Sequence, residues 1–205
     1  MLQRMFPQEN TSLAALAGLS EQVSGAAALL SEMVGSPADR YATLLERILT
    51  HEAETLDMLH TTMTAVRSSF STPIPREDIY TLAVSLGGVV EKLTSAANIL
   101  YLNNIVRFSP RAATLLDLIQ RQAVLTTQTI PKLSDLRDLD DYWITMLRIT
   151  KQAVRIAEEY DADILSRYKQ TRYLQTTRFV HKLIEASEAM RSLATEIGRI
   201  IVQES

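Results

Sequence analysis

The sequence predicts an all-α fold of six long antiparallel helices, and three observations predict it. Apolar residues recur at helical spacing through nearly the whole chain. No segment alternates polar and apolar residues for long enough to propose a sheet. The glycines and prolines, six of each, fall mostly where one helical pattern stops and the next begins. Short connections of that kind make neighbouring helices antiparallel.

The first helix has Asn10, Thr11 or Ser12 as its cap and carries Leu16, Leu19, Val23, Ala27, Leu30 and Val34 on one side. Gly35-Ser36-Pro37-Ala38-Asp39 separates it from the second. There Gly35 suits a C-terminal cap, Ser36 an N-cap, Pro37 the first helical position and Asp39 a capping-box partner. The second helix runs to about Phe70, with the stripe Leu45, Ile48, Glu52, Leu56, Leu59, Met63, Val66 and Phe70. In Thr72-Pro73-Ile74-Pro75 each proline removes a donor and restricts the residue before it, so the chain must leave the helix. Glu77 and Asp78 then place negative charge in the first turn of a third helix over about 76–107, where the exposed N–H groups favour it. Its face is Ile79, Leu82, Leu86, Val90, Leu93, Ala97 and Tyr101. Gly87-Gly88 lies inside that helix at a cost of about 2 kcal/mol relative to alanine. Close approach by a facing helix would offset the cost, and a kink is the competing outcome.

Ser109-Pro110 repeats the cap-plus-proline signal and opens a fourth helix at Arg111. Pro131 falls within its continuation, and because Leu133 and Leu136 carry the apolar pattern onward, a kink is expected there rather than an end. Asp138, Asp140 and Asp141 supply caps and first-turn acids for a fifth helix bearing Met146, Ile149, Ala153, Ile156, Tyr160 and Ile164. A sixth helix after Tyr173 carries Val180, Leu183, Ala186, Met190, Leu193, Ile197 and Ile200. A weak internal echo groups the six as three plus three, in halves of about 10–108 and 109–203 within one domain.

At 205 residues the chain can bury a sizeable core. Its 46% hydrophobic and 22% charged residues are ordinary for a globular protein, and a net charge of −3 argues against a large nucleic-acid surface. The absence of cysteine excludes disulfides, zinc ribbons and thiol catalysis. No apolar run is expected to reach the roughly 18 residues of a membrane span. The first residues have no hydrophobic core of the signal-peptide kind, so a cytoplasmic location is expected.

Few residues suggest chemistry. Glu159 and Asp163, spaced i and i+4, place two carboxylates on one side of the fifth helix, either as two ligands of one cation or as a solvated acidic face balanced by Arg155 and Arg167. Two oxygen ligands are too few, and Glu185 on the sixth helix is the natural third. Glu52 interrupts an apolar stripe and so needs a partner, a proton or exposure. Asp57 and His60 form an i, i+3 pair open to a transition metal, while His51-Glu52 lacks the second histidine of a zinc-protease motif. No nucleophile elbow and no phosphate-binding glycine loop is present. Arg167, Lys169, Arg172, Arg178 and Lys182 are the one concentrated basic cluster, either a solvated helix end or a contact for an acidic partner or membrane surface.

The corner Phe70, Thr72, Pro73, Arg76, Glu77, Asp78 and Ile79 resembles a stretch of the PhoU-like phosphate transport regulators, in the branch of unknown function that accompanies Pit-type phosphate permeases. The resemblance extends over nearly the whole chain in length and helix order. It implies a pair of three-helix bundles related by pseudo-symmetry. It also places family metal-ligand positions at Glu52, Leu56, Gly87, Gly88 and Glu91 in the first half and at Glu159, Asp163 and Glu185 in the second. The family's next acids fall at Ala189, Ser192 and Leu193, and Pro75 stands where it usually has a capping Asp. The implied metal is therefore one weakly held divalent or iron ion at Glu159, Asp163 and Glu185, with the first half empty. The implied function is that of a non-enzymatic regulator or accessory protein of inorganic phosphate transport, acting by protein–protein contact. Its partner would be the cytosolic surface of a phosphate permease or another membrane transporter, with peripheral membrane association and a homodimer both allowed. The alternative is a helical scaffold module unrelated to phosphate that has lost the family's metal sites.

Overall fold

The computed structural model describes residues 11–69, 71–135 and 139–204. They form six helices: α1 (Thr11–Val34), α2 (Tyr41–Ser68), α3 (Arg76–Asn103), α4 (Pro110–Thr129), α5 (Asp140–Arg167) and α6 (Gln170–Glu204). No strand occurs among the described residues. The helices α1, α2 and α3 pack on one another, as do α4, α5 and α6. The triplets join through two like contacts, α3 on α6 and α1 on α4. Helices consecutive in the chain are antiparallel, as are α3 with α6 and α1 with α4, whereas α1 lies parallel to α3 and α4 to α6. His51 of α2 meets Gln22 of α1, Gln122 of α4 meets Thr150 of α5 at 2.9 Å, and Asp78 near the start of α3 meets Arg199 near the end of α6.

Apolar periodicity places most of the core correctly. The stripes of the first, third, fifth and sixth helices are buried, apart from Val34 and Ile156, which are half-buried, and Tyr101, which is exposed where α3 runs out of partners. The stripe of α2 is different. Leu56 is 64% exposed, whereas Thr55 and Thr62 are buried and bond back to the carbonyls of His51 and Met58 at 2.6 and 2.7 Å. Each hydroxyl is satisfied within its own helix and leaves a small, apolar methyl for packing. The seven-residue steps Ile48, Thr55 and Thr62 mark the face that α2 turns inward.

That narrow face fits because glycines lie opposite it. A methyl group at Gly87 of α3 would stand 2.9 Å from Leu59 Cδ1, so the expected close helix approach exists and α3 continues unbroken through Gly87-Gly88. Gly88 faces open space, with only Lys92 Nζ at 3.9 Å. On α1, Gly18 and Gly25 lie two turns apart and face Met58 and the His51 ring.

Helix ends depart from expectation in several places, and α3 ends at Asn103, short of 107. Gly35 does not take a left-handed conformation; its N–H donates to Ser31 O at 3.2 Å and the helix simply unwinds. Ser36 and Asp39 do not form a capping box, because Pro37 caps a 3₁₀ turn (Ala38–Arg40) that leads into α2 without a side-chain cap. Pro131 ends α4 instead of kinking it. Without an N–H it cannot continue the i→i−4 ladder, and a 3₁₀ turn (Ile130–Lys132) follows, closed by Leu133 N to Ile130 O at 3.2 Å. Finally, α6 starts at Gln170, before Tyr173, and the residue preceding α5 is Leu139, with no side-chain cap. Asn10, Phe70, Leu136 and Asp138 lie outside the described residues, and Asp140 is described by its backbone alone.

At the corner between α2 and α3 the chain leaves the helix after Ser68 and re-enters at Arg76. Ile74 is buried, the Arg76 guanidinium donates to Ser69 O, and Pro75 O accepts from the N–H groups of Asp78 and Ile79 at 3.0 and 3.1 Å. At Ser109 the expected cap is present: its hydroxyl accepts from Arg111 N at 3.3 Å, with Pro110 in the first turn. One expectation about composition needs correction. By length and composition α1 is apolar enough to cross a membrane. Here Leu16, Leu19, Val23 and Leu30 are fully buried, and α1 packs against α2, α3 and α4.

The two kinds of glycine make opposite predictions. Gly25→Ala places a methyl 2.5 Å from the His51 ring and should destabilise the protein by about 1 kcal/mol net, since overpacking outweighs the helix-propensity gain. Gly88→Ala meets nothing and should stabilise by up to about 1 kcal/mol. Urea unfolding of both variants checks the pair.

Candidate functional site

Glu159 and Asp163 do lie together on one side of α5, but a third side chain stands between them. Arg111, in the first turn of α4, is held near α5 by the Ser109–Pro110 start, where Ser109 N also donates to the Tyr160 hydroxyl at 3.4 Å. Its Nε donates to Glu159 Oε2 at 3.4 Å and its Nη1 to Asp163 Oδ2. Arg167 Nη2 approaches the other Asp163 oxygen at 4.0 Å. A guanidinium thus occupies the place a cation would take, spreading one positive charge over two carboxylates in fixed donor geometry.

Glu185 does not join them. Lys182 Nζ bonds its Oε2 at 2.7 Å and His181 Nε2 lies 3.1 Å from Oε1. The Lys182 hydrogen bond, more than any other influence, holds the Glu185 carboxyl below the usual carboxylate range. The contribution of that pairing is present above the ordinary carboxylate range and is lost as pH falls through the lowered value.

In the first half, Glu52 is half-buried at the α2–α3 interface, and burial followed by the nearby Glu91 charge pushes its pKa up. Of the three expected reliefs, partial exposure is the one present. His51 is half-buried and hydrogen-bonded through Nδ1 to Gln22 Oε1. Asp57 and His60 are both exposed. Among the described residues no three His, Asp or Glu side chains converge as a metal site would require. Two carboxylates neutralised by Arg111, and a third bound to Lys182, do not fit the metal centre that the resemblance implies.

Sequence reasoning missed the interactions that organise this half. Arg111 reads only as a helix start, and nothing in spacing alone links it to residues about fifty positions later. Gln122, fully buried, donates to Thr150 Oγ1 at 2.9 Å and to Ser187 O at 3.3 Å, and accepts from Ser187 Oγ at 2.7 Å. One turn on, Thr126 and the Tyr142 hydroxyl meet at 2.9 Å, and burial raises the Tyr142 pKa. The signal available was a polar residue on an apolar stripe, Gln122 between Ile119 and Ala123. On the outer side of α5 and α6 a groove of about 500 Å³ is lined by Val154, Leu165, Val180 and Ile184. Asp161 in that groove accepts from Thr177 and Tyr173 at 3.0 and 3.2 Å.

No protein-family model matches the sequence, and no curated protein is detectably similar to it. A solved structure, that of a PhoU-like protein from Shewanella oneidensis MR-1, matches with a TM-score of 0.74 over 94% of this chain and 99% of that one, at 11% identity. At that identity the likeness shows a common fold.

Two measurements follow from the site. Arg111→Gln frees Glu159 and Asp163, so calorimetric titration with Mn²⁺ should give at least about tenfold tighter binding than in the wild type. Adding Asp163→Asn should abolish the gain, whereas equal binding in wild type and Arg111→Gln would show that the guanidinium is no obstacle. Glu52 titrates with the opposite sign to Glu185. Its raised pKa makes the ionised form unfavourable in the fold, so its contribution weakens as pH rises above the ordinary carboxylate range. Glu52→Gln should therefore raise Tm near pH 7.5 more than at about pH 4, as differential scanning fluorimetry would show.

Proposed function

We propose that this protein is a non-enzymatic regulator or accessory protein of inorganic phosphate transport that acts by protein–protein contact. Its partner in this reading is the cytosolic surface of a phosphate permease or another membrane transporter, which places it in the cytoplasm. The observation that carries the reading is the PhoU-like architecture, matched over 94% of the chain. The corner residues Thr72, Pro73, Arg76, Glu77, Asp78 and Ile79 add to it. A binding role fits the site chemistry, since the acids at the family's ligand positions in the second half are engaged by Arg111 and Lys182. Any single cation taken up there displaces Arg111 from Glu159 and Asp163.

One observation favours a second reading, a helical interaction module unrelated to phosphate. Gly87 packs against Leu59 and so has a structural use of its own where the resemblance expects an acid. The two readings part in the cell. Cross-linking the tagged protein in its own host and identifying the products by mass spectrometry should recover a phosphate permease. Deleting the gene should change radiolabelled phosphate uptake at least about twofold, roughly the effect of 0.4 kcal/mol on a binding equilibrium. Unchanged uptake, with cross-links only to proteins outside transport, would assign the second reading.

A further inference from the structure

We propose that the end of the bundle formed by the α3–α4 and α5–α6 turns docks on an anionic lipid surface. The two turns are neighbours, since Arg172 Nη1 at the start of α6 donates to Asn104 O after α3 at 3.5 Å, and Ser109 N donates to the Tyr160 hydroxyl. Both belong to stretches without a single acidic residue, 92–116 and 164–182. Arg107, Lys169 and Arg178 in those stretches are exposed and make no ion pair or side-chain hydrogen bond among the described residues.

The acids nearest the α5–α6 turn are engaged, while Glu46 of α2 and Asp117 of α4 are exposed one to two turns farther along the bundle. Glu159 and Asp163 are held by Arg111, and Asp161 by Tyr173 and Thr177. In the α1–α2 turn at the same end, Glu32 is balanced by Arg40 and Arg47, leaving Asp39 as an exposed acid there. The opposite end has a different character, with Glu77, Asp135 and Asp141 exposed around it.

Charge alone would suit any anionic partner, but the apolar residues narrow the choice. Leu102 is 76% exposed and Leu174 51% exposed, and Val106 and Tyr101 in the same acid-free stretches are exposed as well. Tyr101 and Leu102 lie in the last turn of α3, Val106 precedes Arg107 in the turn after it, and Leu174 lies at the start of the second turn of α6, four residues before Arg178. Aliphatic tips that enter the headgroup boundary while Arg and Lys remain at the phosphates form the pattern that a fluid anionic interface accepts without a matching shape. Each such cation near an anionic leaflet strengthens partitioning about fivefold.

The test is co-sedimentation of the full chain with vesicles of phosphatidylcholine alone and with about 30% phosphatidylglycerol. Vesicles contain no protein, so the result is independent of whether a transporter is the partner. Binding is expected only with phosphatidylglycerol, and it should weaken as salt rises from about 0.1 to 0.5 M. Arg107→Glu with Lys169→Glu should cost at least tenfold in partitioning, and Leu102→Ser with Leu174→Ser a further measurable loss. Lys132→Glu, an exposed cation at the opposite end, should change nothing; all variants should keep the wild-type circular dichroism spectrum. The proposal is overturned by absence of binding to the anionic vesicles, by equal loss in Lys132→Glu, or by binding to soluble polyglutamate but not to lipid. The last result would assign the surface to an acidic protein.

Discussion

The antiparallel seam between α3 and α6 is the contact on which the rest of the molecule depends. Each helix is the third of its triplet, and together with the α1–α4 contact the seam covers apolar stripes that two separate bundles would expose. Leu82, Leu86, Val90 and Leu93 meet a facing helix whose Leu183, Met190, Leu193 and Ile197 are equally buried. An apolar seam of this length has no intrinsic register, because neighbouring leucines can exchange places at little cost. Polar contacts fix it. Asp78, buried, accepts from Arg199, and Arg172 reaches Asn104 O at the other end. The Arg199 guanidinium also holds Glu196 at 2.6 Å, and these two hydrogen bonds keep it protonated well above its usual range. A seam defined at both ends leaves α1 and α4 only one way to meet.

The two triplets reach similar packing by different means. In the first, α2 lies close to its neighbours because Gly18 and Gly25 of α1 and Gly87 of α3 remove side chains from its path. In the second, α5 is linked through a buried polar network, Gln122 with Thr150 and Ser187, and Thr126 with Tyr142. A fully satisfied network of this kind specifies one arrangement, since any shift leaves a buried polar group unpaired. The first triplet has shape as its constraint and the second has hydrogen bonding. Pseudo-symmetry in helix order therefore coexists with little symmetry in what holds the halves together.

The helices and most of the core could be read from the sequence because they rest on local rules. Helical spacing located Leu16, Leu86 and Met190, and Ser109-Pro110 marked the start of α4 because capping and proline act within one turn. Readings failed where a neighbour decided the outcome. Leu56 looked like a core residue until the glycines of α1 and α3 drew a different face of α2 inward. Pro131 looked like a kink because Leu133 continued the pattern, but Leu133 is buried after a 3₁₀ turn, outside any helix. The candidate site was legible as an acid pair and illegible as an ion pair. Spacing along α5 brought Glu159 and Asp163 together, whereas the approach of Arg111 is a property of how α4 lies on α5.

That guanidinium changes what the site can do. Two carboxylates close together repel each other, and the repulsion must be relieved by a proton, a metal or a cationic side chain. A metal leaves coordination positions for exchangeable water or a ligand, which is what makes such a centre responsive to its surroundings. A guanidinium fills the same electrostatic role with donors fixed in a plane and always charged, so it offers nothing to titrate near neutral pH and no open position. Arg111 also belongs to the first turn of α4, beside the Ser109–Tyr160 contact, so it fastens α4 to α5 as it neutralises the acids. A pair of acids that on another helix could have been a ligand set serves here to fix the basic end of the bundle. Among the described residues it leaves Arg107, Lys169 and Arg178 as that end's uncommitted cations.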